Sequence, residues 1–258
     1  VLGARLMLRR PRVVLHEQNA VLGRANRMLS RRADILALSH AETARVPESA
    51  RTVLTGNPVR PAIMALAGAG YEPPSGQIRL LVLGGSLGAL VFSDVVPPAL
   101  AQLPVPLRAR LTVVQQCRAE DLERVRAAYD SAGISAELAS FFPDVAALLA
   151  ASHLVIARAG ASTVAELAVA GRPAVLVPLP GAIDDHQSAN ARALGDGAWV
   201  IRQPDFTPDA LATLLGGLLG DREALANAAS TAAANGHAEA ASALADLVES
   251  YIPKESGQ

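Results

Sequence analysis

The chain is poor in the features that commit a sequence to several common functions. Its 258 residues include one cysteine, Cys117, so no intramolecular disulfide can form, and a reducing, cytoplasmic setting fits. That lone thiol reads as packing rather than as a nucleophile. The formal net charge is −1 and the sequence pI about 6.6, without the basic excess of nucleic-acid-binding domains, so no nucleic-acid partner is expected. No run approaches the ~18 apolar residues of a membrane span, which leaves peripheral contact as the expected mode of membrane association. Also missing are a GxGxxG fingerprint, a Walker loop ending in GK[ST] and a G-x-S-x-G elbow. The usual dinucleotide, triphosphate and serine-hydrolase assignments lose support accordingly.

What is present is a globular composition, 51% hydrophobic, arranged as alternating short apolar runs and helical stretches. Strands are expected at residues 12–15, 35–38, 52–54, 80–83, 111–114, 136–138, 154–157, 174–177 and 199–201, with helices between most of them and three more at 208–219, 222–234 and 238–250. Residues 65–77, with Ala/Gly alternation and then Tyr71-Glu72-Pro73-Pro74, read as a linker. The pattern predicts an α/β protein of two doubly wound domains, 1–64 and 65–237, with 238–258 packing back on the first. Residues 1–10 read as the end of a helix feeding a strand, so the first domain is expected to be incomplete.

The stretch 154–194 carries the candidate chemistry, as a strand, a glycine turn, a helix, a second strand, a polar loop and another helix. Open parallel sheets bind ligands in the loops at such strand ends. Gly160 is expected to allow a tight turn into a helix beginning near Ser162. Glu166, about one turn in, admits two readings: its carboxylate accepts from a ribose diol, or Thr163 and Glu166 form a T-x-x-E capping box. Asp184, Asp185 and His186 lack helical ligand spacing, which disfavours a metal. His186, Gln187 and Asn190 read as neutral hydrogen-bonding groups for hydroxyls and phosphate. Earlier in the chain, His16-Glu17-Gln18-Asn19 is placed just past a strand end, with Asn19 either facing a cleft or capping the next helix. Arg24, Arg27, Arg31 and Arg32 decorate that helix, as a solvated face or as a surface for an anionic partner. Arg60, between Pro58 and Pro61, sits on a stiff extended segment. The turn Gly84-Gly85-Ser86-Leu87-Gly88-Ala89 either cradles a phosphate at a helix N-terminus or simply packs helix on sheet.

Five segments in order, HEQNAVLGRANR (16–27), TGNPVR (55–60), GGSLGA (84–89), RAGASTVAEL (158–167) and DDHQSANA (184–191), closely resemble the MurG family of peptidoglycan glycosyltransferases. The resemblance implies a GT-B fold, two Rossmann-like domains facing each other over a cleft. It implies transfer of N-acetylglucosamine from UDP-GlcNAc to the muramoyl sugar of lipid I, forming lipid II with inversion, without a metal or other cofactor. It also implies peripheral attachment to the anionic cytoplasmic face of the bacterial membrane, mostly through a segment preceding Val1. By the same resemblance, Asn19 and Arg60 contact the donor and Gly85 and Ser86 bind phosphate. Phe142 lies beside the uracil, Gly160, Ala161, Ser162 and Thr163 supply the nucleotide turn, and Glu166 holds the ribose. Gln187, with His186, binds the sugar hydroxyls.

Departures from the family pattern are Leu87 for a usual Gln, Phe142 for a usual aliphatic residue, and Gln115-Gln116-Cys117-Arg118 for a more common HQTG. The family's catalytic histidine and its N-terminal glycine loop fall before the segment matching Val1. No catalytic residue is therefore assigned here, and the chain alone is expected to bind donor weakly at best and not to turn over. Two other classes stay open at this point: a UDP-GlcNAc 2-epimerase-like enzyme, and a non-catalytic nucleotide-sugar-binding module.

Overall fold

A computed structural model describes residues 11–85 and 89–252. The expectation for residues 1–10, and those for Ser86 and Leu87, lie outside the described residues.

The first sheet has three parallel strands in the order β1 (Val14–Glu17), β2 (Ile35–Leu38) and β3 (Thr52–Leu54). Helix α1 (Arg24–Ser30) connects β1 and β2. Two strands have the predicted limits; β1 starts and ends two residues later than predicted, so His16 and Glu17 belong to the strand rather than to the loop beyond it. The register explains the shift, because Val14 to Glu17 pair one for one with Ile35 to Leu38. The sheet's own apolar core is small, formed by Leu22, Leu36 and Leu38 with Leu15 and Val46 against them.

The chain crosses to the second sheet through Gly56, at φ +82, where a Cβ would lie 2.3 Å from that of His237. Only glycine fits that left-handed, crowded position. Helix α2 (Pro61–Met64) follows, with Arg60 extended at its N-cap and Pro61 at its first position, a placement that suits proline's fixed φ. Val59, Ile63 and Leu66 already pack into the second sheet's core. The predicted linker is strapped down rather than free. The buried guanidinium of Arg172 donates to the carbonyls of Gly70, Leu149 and Ala150 and lies over the Tyr71 ring, whose hydroxyl donates to His153 O.

The second sheet has six parallel strands: β4 (Ile78–Leu83), β5 (Leu111–Gln116), β6 (Ser135–Ala139), β7 (Leu154–Ala157), β8 (Ala174–Leu176) and β9 (Ala198–Val200). Their spatial order is β6-β5-β4-β7-β8-β9, the doubly wound order that reverses direction between β4 and β7. β7 is buried at all four positions, the mark of a central parallel strand covered on both faces. On one face Phe92, Val96 and Leu100 of α3 (Leu90–Ala101), Tyr129 of α5 (Leu122–Ala132) and Leu211 and Leu215 of α9 (Pro208–Leu218) close the core. On the other, Leu149 of α6 (Val145–Ala151), Val164 and Leu167 of α7 (Ala161–Ala170), and Ala191 of α8 (His186–Ala193) do so. Each fully buried Leu, Ile or Phe contributes about 1.5–3 kcal/mol relative to exposure. A turn, α4 (Val105–Arg108), links α3 to β5, and α10 (Arg222–Ala234) and α11 (Ala240–Glu249) end the described chain.

Candidate functional site

All strands of both sheets are parallel within their sheet, so every loop after a strand lies at a carboxyl edge. The carboxyl edges of the two sheets touch each other. Asn190 of α8 is fully buried, accepts from Ala20 N at 2.8 Å, and donates to Asn19 Oδ1 at 3.1 Å and Ala159 O at 3.2 Å. Arg60 donates twice to Glu166, Nε to Oε1 at 3.0 Å and Nη2 to Oε2 at 3.1 Å. Arg45 pairs with Asp184, and Arg24 lies 3.5 Å from the same carboxylate.

The switch point between β4 and β7 is flanked by two glycine turns. Gly85, at φ +84, has nothing among the described residues within 4 Å of the place a Cβ would take, and its left-handed backbone favours glycine. Gly160 is the N-cap of α7 at φ −64, with no side-chain cap and no acidic residue in the first turn. Its φ is ordinary, so glycine is not required for the turn itself. The first amides of α7, at Ala161, Ser162 and Thr163, instead face the crevice at the positive helix end, the arrangement that receives phosphate oxygens.

Those helix limits decide one alternative for Glu166. With Gly160 as N-cap, Thr163 and Glu166 are inside α7, so they do not form a capping box. Glu166 is free of its own helix terminus and presents both oxygens to the crossing segment, where Arg60 takes them. The Asn19 alternative resolves as well: the N-cap of α1 is Gly23, without a side-chain cap. Asn19 instead bonds Glu17 through its backbone N and Nδ2 and receives Asn190 on its Oδ1. Asn190, read from the sequence as a ligand for hydroxyls or phosphate, is consumed by the inter-sheet contact.

The polar loop after β8 turns through Ile183–Asp185 into α8, which starts at His186, two residues before the predicted start. Gln187 Oε1 accepts from Leu179 N at 2.9 Å, closing that loop on itself. Phe142 is buried in the loop after β6, at the same carboxyl edge, beside an exposed Phe141. His16 Nε2 lies 3.0 Å from Gly56 O and 3.2 Å from Ser39 Oγ. Its ring is occupied in joining β1 to the crossing segment. Glu17, beneath it, is buried and accepts from Asn19 N, Asn19 Nδ2, Gly23 N and Asn26 Nδ2. Burial pushes its carboxyl up, but those hydrogen bonds outweigh it and hold the group below its ordinary value.

One contributor escaped sequence reasoning. Arg158, directly after β7, donates to the carbonyls of Val177 and Pro178 and to Gln203 Oε1, and its guanidinium lies 5.3 Å from the Phe92 ring centre. It braces the start of the β8 loop from the switch point. Its position at a strand's carboxyl end was visible; its target carbonyls were not. A larger cavity, about 720 Å3, lies on another flank of α7, lined by His40, Asn57, Ala165, Ala168, Arg192 and His237. Among the described residues Asn57 Nδ2 and His40 Nε2 are buried without a hydrogen-bond partner, and burial with the nearby His237 pushes the His40 imidazole down.

Residues 79–244 match the model for the glycosyltransferase family 28 C-terminal domain. The chain belongs to that family. It is 65% identical over 256 residues to the UDP-N-acetylglucosamine–N-acetylmuramyl-(pentapeptide) pyrophosphoryl-undecaprenol N-acetylglucosamine transferase of Granulibacter bethesdensis, covering 98% of this chain and 67% of the relative. The enzyme of the same name from Gluconobacter oxydans is 57% identical over 246 residues, covering 95% and 67%. The crystal structure of Acinetobacter baumannii MurG superposes with a TM-score of 0.81 at 37% identity, covering 96% of this chain and 70% of that one. The chain thus spans about two thirds of the length of its curated relatives. The family match spans all six strands of the second sheet but for the first residue of β4, and the switch-point glycines with them.

Proposed function

We propose that the protein transfers N-acetylglucosamine from UDP-GlcNAc to lipid I to form lipid II, the reaction named for its relatives. The observation that carries this reading is the juxtaposition at the switch point. Open amides at the start of α7 and a glycine turn after β4 await a diphosphate, while Glu166 and the Arg60 guanidinium face each other beside them. The chemistry follows from the parts. A diphosphate leaving group gains negative charge as the glycosidic bond breaks. Fixed amide dipoles and a guanidinium fork stabilise that charge in place. On donor binding Arg60 turns to the diphosphate and Glu166 accepts from the ribose hydroxyls. Gly85 and Ser86 border the phosphates, Phe142 the base, and His186 and Gln187 the sugar hydroxyls. Asn19 acts at the same edge from the first sheet.

The division into 1–64 and 65–237, with 238–258 returning to the first unit, is part of the same reading; Ala240, at the start of α11, lies 3.1 Å from where a Cβ on Gly56 would sit, which supports the return. Membrane association is proposed to be peripheral, at the cytoplasmic face. Among the described residues no helix is long and apolar enough to cross a membrane, and α1 exposes Met28 beside Arg24, Arg27 and Arg31. The epimerase alternative is disfavoured by the family match.

The test is incubation with UDP-GlcNAc and a lipid I analogue, scoring UDP release and disaccharide product. Product formation in the protein extended to the relatives' length supports the reading. Epimerised sugar without acceptor, or donor binding without product, overturns it.

A further inference from the structure

Three non-glycine residues among those described have a positive φ: Arg45 at 65°, Asp184 at 57° and Asp185 at 53°. Arg45 lies 139 residues from the adjacent Asp184 and Asp185 yet meets them at one place, because Arg45 of the first unit pairs with Asp184 of the second. Left-handed backbone is unfavourable for arginine and tolerated by aspartate, and it persists where surrounding contacts hold it. The determining contacts are visible. Asp184 Oδ1 accepts from Arg45 Nη1. Its Oδ2 is buried without a hydrogen-bond partner, 3.5 Å from Arg24 Nε. One end of the loop is therefore held by the opposite unit, and the other by the bond from Leu179 N to Gln187. A cavity of about 360 Å3, lined in part by Asn19, Arg24, Asp184 and His186, opens beside the pair.

We propose that Asp184 is a positioning residue for the sugar end of the donor, acting through Arg45 and Arg24 of the facing unit to aim His186 and Gln187. This rests on the donor reading above. The carboxylate sets the left-handed turn at Asp184 and Asp185, and that turn sets the direction in which α8 begins. Both guanidiniums of the facing unit thus latch the one carboxylate, Arg45 on Oδ1 and Arg24 3.5 Å from Oδ2. The Arg45 guanidinium keeps the Asp184 carboxyl below its ordinary value despite desolvation, so the carboxylate stays charged across the neutral range.

The latch bears on the sugar and not on the nucleotide, which the α7 amides and Glu166 hold. The two affinities, measured separately by ligand-observed saturation-transfer NMR with UDP and with UDP-GlcNAc, test it. Asp184→Asn is expected to weaken UDP-GlcNAc about fivefold and leave UDP within about twofold. Asp184→Gly relieves the left-handed backbone but removes the charge, so it is expected to behave like Asp184→Asn. The exchanged pair, Arg45→Asp with Asp184→Arg, is expected to recover part of the loss. Unchanged UDP-GlcNAc affinity in both single variants overturns the proposal. So does an equal fall for both ligands, or an Asp184→Gly variant indistinguishable from the parent. If the protein extended to the relatives' length binds neither UDP nor UDP-GlcNAc, the donor reading falls instead, and this inference with it.

Discussion

The two sheets reach order by different means. The six-stranded sheet is covered on both faces by helices whose buried Leu, Val, Ile and Phe side chains make two broad apolar cores. The three-stranded sheet buries Leu22, Leu36 and Leu38 and leans on polar contacts: Glu17 with its four donors, and Asn190 reaching in from the other unit. Apolar burial is non-directional and tolerates change, whereas a buried polar network fixes geometry and fails when one member is lost. The larger unit therefore supplies stability, and the smaller one supplies orientation to the cleft.

Breaking the larger core should have the largest effect. Phe92 is fully buried, stacks edge-on with Phe206 and lies under Arg158. Phe92→Ala is expected to cost about 3–5 kcal/mol, read by denaturant unfolding. A smaller and more local loss is expected from Asn190→Ala, which strands Ala20 N and Ala159 O. About 2 kcal/mol should disappear, and hydrogen exchange should accelerate in β1–β3 while β4 and β7 keep their protection. Equal acceleration in both sheets would erase the distinction between them.

Acid sharpens the same contrast. The folded Glu17 carboxyl titrates below its ordinary value. Its contribution is present above the unfolded value, about 4.3 for a glutamate, and is lost as pH falls through the lower folded value. The small sheet should therefore loosen first on acidification, seen as β1–β3 amide signals broadening before those of β4–β9. The smallest effect on stability is expected at Arg60. Its pair with Glu166 is half exposed on the arginine side, so Arg60→Ala should change unfolding by less than about 1 kcal/mol while weakening UDP binding.

Much of this was legible in the sequence because apolar runs bounded by turn residues mark parallel strands well. β2, β3 and β7 have their predicted limits, and the five motif segments supplied the family. Local signals misled where a tertiary contact took precedence. Thr163 and Glu166 have capping-box spacing, yet α7 begins at Ala161, and the carboxylate serves Arg60, 106 residues away. Asn190 has the polarity of a ligand group and is spent on Ala20, 170 residues away. The left-handed turn falls on two aspartates, which tolerate that region, but Arg45, which pairs with Asp184, lies 139 residues away and gave no local signal.

The central claim is that Glu166, released from capping and facing Arg60, receives the ribose of a UDP-linked donor. Saturation-transfer NMR titration of UDP against the parent protein and Glu166→Gln tests it most directly. The account predicts saturable UDP binding that weakens about tenfold in Glu166→Gln, with the midpoint of thermal unfolding nearly unchanged. Equal UDP affinity in the two proteins would contradict it.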